Sequence, residues 1–276
     1  MWTRFILEPM LNLLLWLYTH VGDFGLAIIL FTVLVRLLLH PLLKQQTKSQ
    51  EAMMRLQQDP RWKEIQEKYK NDRERLAQEQ MKLYQELGVN PFGSCLPLLL
   101  QLPIIFGLYQ AIILALGNTP AQLLELVRHL YPSLHAERLL PIDSRFLWMD
   151  LARPERLTLP FLPFGIPVLA ILVGVSTYFQ SKLMSQAAKP QDDAAKGASK
   201  KAGQKKGKKS SQPDQMESMT KMMNVYMPLF LGYITMTFPA GLGLYFLVSN
   251  VVTVFQYILL GKISLPRPAW LSRKPS

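Results

Sequence analysis

Only one cysteine, Cys95, occurs in the 276 residues, so no intramolecular disulfide can form. Histidine is nearly as scarce: His20, His40, His129 and His135 show no metal-ligand spacing, which leaves no basis for a metal or cofactor site. Charge is sparse too, at 18% of residues against 49% apolar, yet the mean hydropathy is only +0.11. Strongly apolar blocks must therefore alternate with strongly polar ones. Carboxylates are missing from every long apolar stretch. An ion-coupled transporter would be expected to carry one there, and an intramembrane enzyme would need a nucleophile, a carboxylate pair or a metal set. No repeat relates the two halves, as small-solute transporters usually show. A small-solute transporter or channel remains the alternative reading, and an enzyme is not expected.

What is there is apolar sequence in blocks of membrane length. Residues 91–124 and 157–181 carry no charge, and each covers the roughly 20 residues needed to cross about 30 Å of hydrocarbon. Residues 222–261 are charge-free as well, interrupted only by Phe238-Pro239-Ala240-Gly241, which reads as a turn between two crossings. A fifth stretch, near residues 24–43, is apolar except for Arg36 and His40. It spans only by taking Arg36 inside.

The distribution of Lys and Arg orients these spans, because short basic loops stay cytoplasmic. Segment 44–90 holds ten basic residues, and segment 182–221 holds Lys182, Lys189, Lys221 and the cluster from Lys196 to Lys209. Segment 117–160 has five basic residues matched by five acidic ones, and the 238–241 turn has none. The expected layout is an all-α integral membrane protein, amino terminus outside and carboxy terminus cytoplasmic. Its parts are an interfacial helix (1–21), a first span (22–43), a cytoplasmic helical hairpin (44–90), a second span (91–116) and an outside loop (117–158). A third span (159–183), a Lys-rich linker (184–217), a fourth and fifth span (218–238 and 239–261) and a cytoplasmic tail (262–276) complete it.

Three polar or short segments complete the reading. PMLNLLLWLYTH (9–20) is apolar almost all round but too short to span, so a helix lying on the outer surface fits best. A signal peptide is the alternative, since Arg4 precedes the apolar core; Glu8-Pro9 interrupts that core and no small-x-small cleavage site follows. Segment 44–88 is built of strong helix formers, with Pro60 expected to kink or split its first arm and Asn71-Asp72 expected to turn and cap. Leu76, Met81, Leu83 and Leu87 should line the second arm. Residues 187–214 have no aromatic or branched apolar side chain and cannot bury a core.

Arg36 carries the most information. It lies seven positions before Leu43, about 10 Å inside the cytoplasmic end of its span at ~1.5 Å per residue. One reading is snorkelling of the side chain to the headgroups. The other is a water-filled cavity, because a centrally placed Arg costs at least ~2.5–3.5 kcal/mol unless it is hydrated or paired. Polar residues available to surround it are Thr32, Gln101, Tyr109, Gln110, Thr177, Gln180, Asn250, Thr253 and Gln256; each alone reads equally as a helix–helix hydrogen bond.

Four segments in order, GDFGLAIILFTVLVRLLLHPL (22–42), LGVNPFGSCLPLLLQLPIIFGLYQAI (87–112), FLWMDLA (146–152) and FPAGLGLYFLVSN (238–250), resemble the YidC-type membrane protein insertases, with their Oxa and Alb relatives in organelles. The resemblance implies five helices around a hydrophilic groove, open to the cytoplasm and lipid and closed to the outside, in the bacterial inner membrane. It implies that Arg36 occupies the groove; the polar span residues Thr32, Gln101, Gln180, Asn250, Thr253 and Gln256 are the further candidates to line it. Nascent membrane proteins are the implied substrates, with the Sec translocon, the ribosome and anionic lipids as candidate partners and the monomer as the working unit. Two departures from the family pattern are expected: no large domain outside the membrane, and no lipidated cysteine, since Cys95 is far from the amino terminus. The tail after Lys262 is short, so ribosomal RNA or lipid contact would fall to Lys200, Lys201, Lys205, Lys206, Lys208 and Lys209, for which a solvated cytoplasmic loop is the competing reading.

Overall fold

The computed structural model describes residues 1–89, 96–117, 119–132, 134, 139–158, 165–187 and 226–260. Two features discussed above, Cys95 and the Lys200–Lys209 cluster, lie outside the described residues.

A π-helical turn at Thr3–Leu7 leads into α1 (Glu8–Val21), whose second residue is Pro9, a position where the missing N–H costs nothing. Gly22, at φ +74°, ends α1 in the left-handed region that favours glycine, and the side chain of Asp23 accepts from the Leu26 N–H at 2.9 Å to start α2 (Phe24–Leu38). The apolar stretch 24–43 is not one helix. It breaks at Leu39, and α3 (His40–Gln58) begins with Pro41 in its first turn. A proline there has no N–H for the helical ladder, so it starts a helix more readily than it continues one.

Pro60 acts in the same way. Asp59 caps α4 (Pro60–Lys68), Asp72 caps α5 (Arg73–Glu86), and Gly88 sits at φ +62° just past the end. Leu56, Trp62 and Leu83 form a small core that holds α3, α4 and α5 together. Of the four residues expected to line α5, Leu83 is buried and Leu76 half-buried, whereas Met81 and Leu87 are exposed.

The remaining elements are α6 (Leu96–Ala115, with Pro103 inside), α7 (Pro120–His129, opened by a Thr119/Gln122 capping box), a two-stranded hairpin of β1 (Arg145–Phe146) and β2 (Met149–Asp150), then α8 (Val168–Ala187), α9 (Met227–Thr237) and α10 (Ala240–Leu259). The chain turns at Phe238-Pro239 between α9 and α10. Among the described residues α10 alone is long and apolar enough to cross a membrane; Phe24–Leu38, Leu99–Ala115, Val168–Leu183 and Met227–Thr237 are apolar but shorter.

Helix α10 is central, packed against α2, α8 and α6, and α8 packs on both α9 and α10. The α8–α9 contact is close because it runs over glycines: a Cβ on Gly174 would stand 3.6 Å from the Pro228 carbonyl oxygen, and one on Gly232 3.5 Å from that of Ala170. Small residues at such crossings let backbones approach where lipid supplies no hydrophobic drive.

The core is segregated to one end of the bundle. It takes the first turns of α2 (Phe24, Ile28, Phe31), the last turns of α6 (Leu108, Ile112) and the start of α10 (Tyr245), all almost fully buried. Helix α1 lies against α2 and α6 with Leu11, Leu14 and Leu15 wholly buried in that core. The first helix is thus docked into the protein on one face, while Trp16 and Phe5 stay exposed. Trp2 adds a bond from its indole N–H to Gln110 on α6, at 2.8 Å. Gln110 is therefore occupied by the amino-terminal segment.

The β-hairpin closes the same end. Phe146 lies directly on Gly25 in the first turn of α2, and the carbonyls of Leu151 and Arg153 accept from the N–H groups of Gly241 and Ala240 at 3.1 and 2.8 Å. Those two N–H groups belong to the first turn of α10 and would otherwise have no intrahelical partner. Glu155, 5% exposed, accepts from the Trp148 indole N–H (2.9 Å) and from the Leu169 N–H in the first turn of α8 (3.0 Å). One buried carboxylate so ties the hairpin turn to a helix start, with both oxygens satisfied.

Candidate functional site

At the opposite end of the bundle the side chains turn polar. Arg36 projects from the last turn of α2, one residue short of an α-helical turn before the Leu39 break, and is half-buried. Its Nε donates to Ser249 Oγ at 2.7 Å. Its backbone carbonyl accepts from Gln256 Nε2 at 2.9 Å. Ser249 and Gln256 are seven residues apart on α10, hence two turns along one face, so one helix holds both the side chain and the backbone of Arg36. Among the described residues no carboxylate pairs with it, and no acceptor engages its Nη1 or Nη2.

Beside it, Gln101 of α6 donates from Nε2 to the Tyr245 hydroxyl at 2.6 Å. Tyr245 also lies within electrostatic reach of the guanidinium. These residues surround a pocket of about 50 Å³ lined by Arg36, Leu39, Leu42, Leu43, Leu100, Gln101 and Gln256. Three of its walls are the leucines at the break and at the start of α3, so the pocket opens where the chain leaves α2 for the α3–α5 hairpin. It is polar enough and roomy enough for ordered water, and small beside the groove that the resemblance implied.

The structure gathers only part of the expected set. Arg36, Gln101 and Gln256 meet at the pocket. Thr32, wholly buried, spends its hydroxyl on the Ile28 carbonyl (2.7 Å), and Thr253 spends its own on the Ser249 carbonyl (2.7 Å). Such back-bonding uses each hydroxyl's one proton inside its own helix, and neither oxygen accepts from Arg36 among the described residues. Asn250 points elsewhere: its amide donates to Ser176 Oγ (2.9 Å) and Thr177 Oγ1 (2.8 Å), joining α10 to α8. Gln180 is half-buried on α8 and does not line the pocket. Tyr109 packs edge-on against Phe238, with ring centroids 5.1 Å apart.

Ser249 and Tyr245 were not singled out by sequence. Both sit in the FPAGLGLYFLVSN segment, and a usable signal existed: Gly241, Tyr245, Ser249 and Gln256 succeed one another at steps of four, four and seven residues, about one, one and two helical turns. No group of three or more His, Cys, Asp or Glu among the described residues is placed to hold a metal ion.

Comparison with known proteins bears on the whole arrangement. A family model described as 60Kd inner membrane protein matches residues 16–266. The membrane protein insertase YidC of Syntrophobacter fumaroxidans is 32% identical over 259 residues, 92% of this chain and 37% of that protein. Membrane protein insertase YidC 1 of Listeria monocytogenes is 34% identical over 264 residues, 94% of this chain and 71% of that protein. Among solved structures, an active YidC insertase with its first transmembrane domain resolved superposes with a TM-score of 0.51 at 25% identity, over 92% of this chain and 46% of that one. The chain spans well under half the length of the Syntrophobacter relative.

Proposed function

The chain belongs to the 60Kd inner membrane protein family, the family of the YidC insertases, and from that membership we propose that it receives hydrophobic nascent chains from the cytoplasm and promotes their insertion and folding in the bilayer. Family membership places it in the inner membrane. The observation that carries the mechanism is Arg36, a half-buried cation with no carboxylate partner among the described residues, lining a pocket at the hairpin end.

Lateral entry of a substrate is limited by its polar tail, because each unsatisfied backbone or charged group costs several kcal/mol in hydrocarbon. A wet, positively charged pocket part-way across gives that tail hydrogen-bond partners and shortens the apolar barrier. The apolar segment then partitions into lipid along the protein. The opposite end, filled by large apolar side chains and covered by the β-hairpin, offers no polar route, which supports a site open on one side only. Nothing in this scheme makes or breaks a covalent bond.

The proposed setting is a five-span bundle with spans at 22–43, 91–116, 159–183, 218–238 and 239–261, amino terminus outside. The α3–α5 hairpin from residue 44 onward and the Lys-rich linker are then cytoplasmic, α1 rests at the outer membrane surface, and the monomer works alone or beside the Sec translocon. Lys200, Lys201, Lys205, Lys206, Lys208 and Lys209 would meet ribosomal RNA or anionic lipid. Because Cys95 is the one cysteine, a Cys95→Ser background allows single cysteines at Tyr18 and Lys70 to be labelled by an impermeant maleimide, and labelling of both from the same side would refute the orientation.

The mechanism is tested with the purified chain in liposomes and a single-span substrate bearing an acidic tail. Arg36→Ala should lower the protease-protected fraction several-fold while helicity is kept. Unchanged insertion would sink the pocket mechanism. Photocrosslinkers at Gln101 and Gln256 should capture stalled substrate, and one at Thr32 should not, because its side chain is enclosed.

A further inference from the structure

We propose that the tip of the β-hairpin, Leu147 and Trp148, is an interfacial anchor that inserts among the lipids of the outer leaflet, at the boundary between hydrocarbon and headgroups. The proposal rests on the five-span setting above and is independent of the Arg36 pocket.

The turn itself points outward for an explanation. Leu147 and Trp148 are the two residues between the paired positions Phe146 and Met149. A two-residue hairpin loop with positive φ at its first position favours glycine there. Leu147 holds that position at φ +53° and is 76% exposed. A branched side chain that strains the turn and touches little of the protein is accounted for by what it meets outside. Trp148 is 48% exposed, and its indole N–H is already engaged by Glu155 at 2.9 Å. Its one polar group is thus satisfied within the protein, and what it offers outward is an apolar ring.

The level at which the tip stands decides what covers it. Phe146 lies on Gly25, the second residue of α2; the Arg153 and Leu151 carbonyls accept from Ala240 and Gly241, the first two residues of α10; and Glu155 accepts from the N–H of Leu169, the second residue of α8. The hairpin is therefore tied to the first turns of three helices at once. In the five-span setting these are the outer ends of three crossings, which holds the tip at the edge of the hydrocarbon. Tryptophan is enriched at that boundary, where an apolar ring is buried shallowly. The flanks fit lipid phosphate: Arg145, Arg153 and Arg156 are exposed, beside Asp143 and beside Asp150, which stands 3.8 Å from Arg153. An apolar tip with arginines behind it matches acyl chains with phosphates above them. Arg36 follows Gly25 by eleven residues of α2, about 16 Å at ~1.5 Å per residue. A tip seated at the outer boundary so sets that arginine near the middle of about 30 Å of hydrocarbon.

The full chain in phosphatidylcholine vesicles provides the test. A nitroxide is attached through Leu147→Cys in the Cys95→Ser background, and its collisions with oxygen, which concentrates in lipid, are compared with those with a water-soluble nickel chelate. Oxygen should dominate severalfold at 147, and the chelate should dominate severalfold at a nitroxide attached through Lys70→Cys in the α4–α5 turn. A second measurement leaves Leu147 in place. Bromine on acyl carbons near the headgroup should quench the emission that Trp148→Phe removes, and bromine near the bilayer centre should quench it severalfold less. Either a chelate-dominated nitroxide at 147, or a Trp148 emission untouched by bromine at both depths, would overturn the anchor. Single cysteines at Tyr18 and Lys70 that react from the same side of the vesicle would overturn the five-span setting, and the anchor with it.

Discussion

Gly25 tests how the β-hairpin closes its end of the bundle. It lies in the first turn of α2 with the Phe146 ring directly on it, so a Cβ there would overlap the ring carbons. The ring has little room to retreat, because its hairpin is held by Leu151 N–H to the Ser144 carbonyl (2.8 Å) and by the bonds from Ala240 and Gly241 (2.8 and 3.1 Å). Two effects of Gly25→Ala oppose each other. Replacing glycine in a helix gains at most ~1 kcal/mol, and less in a first turn. Overpacking costs ~1–3 kcal/mol, and loosening one of the hairpin bonds adds ~1 kcal/mol. The net expectation is a loss of ~1–2 kcal/mol. Phe146→Ala removes the obstacle at its own cost in burial, and in that background Gly25→Ala should become neutral or stabilising by up to ~1 kcal/mol. The coupling is then about 1–3 kcal/mol, above the few tenths expected of independent sites. Unfolding of the four proteins by SDS titration in mixed micelles, followed by circular dichroism, measures it. The same sign for Gly25→Ala in both backgrounds would refute the closure described here.

Three other outcomes are expected. Asn250→Ala breaks two bonds from α10 to α8; at ~0.6 kcal/mol per intramembrane bond plus a small cavity, the same titration should show a loss of ~1–2 kcal/mol, and no loss would mean that this contact is not formed in lipid. Glu155→Ala leaves the Trp148 indole and the Leu169 N–H without their acceptor, which should cost ~2–4 kcal/mol and shift Trp148 fluorescence to the red, with Glu155→Gln losing less. The Arg61 side chain, hydrogen-bonded to Asp59, holds that carboxyl below its usual pKa. Its stabilisation of the α3–α4 junction is therefore full above the unfolded value of ~3.9 and lost as pH falls through the lower folded value. Trp62 fluorescence should report an opening only in that acid range, absent in Asp59→Asn, and an opening near neutral pH would contradict it.

The sequence by itself determined whatever is local. Pro60 cannot continue a helix, Asp23 and Asp72 carry the side-chain oxygen a helix start needs, and Gly22 takes a φ that larger residues avoid; each break falls where those residues stand. Arg36 was legible for the same kind of reason, since a cation in an apolar run demands an explanation from its own position. Pro41 is the local signal for the break at Leu39, and the apolar run on both sides of it hides that signal.

Only the tertiary structure decided what each polar residue faces. Ser249 meets Arg36 across 213 residues of chain. Thr32 and Thr253 bond their own helices, and Asn250 turns to α8. Sequence period could not separate these roles. A helix such as α6 is apolar all round, because lipid and protein interior are equally apolar, and no polar stripe marks which side looks inward. The same reasoning explains α1: its leucines satisfy a membrane surface and a protein core alike, and the fold buries Leu11, Leu14 and Leu15 against α2 and α6.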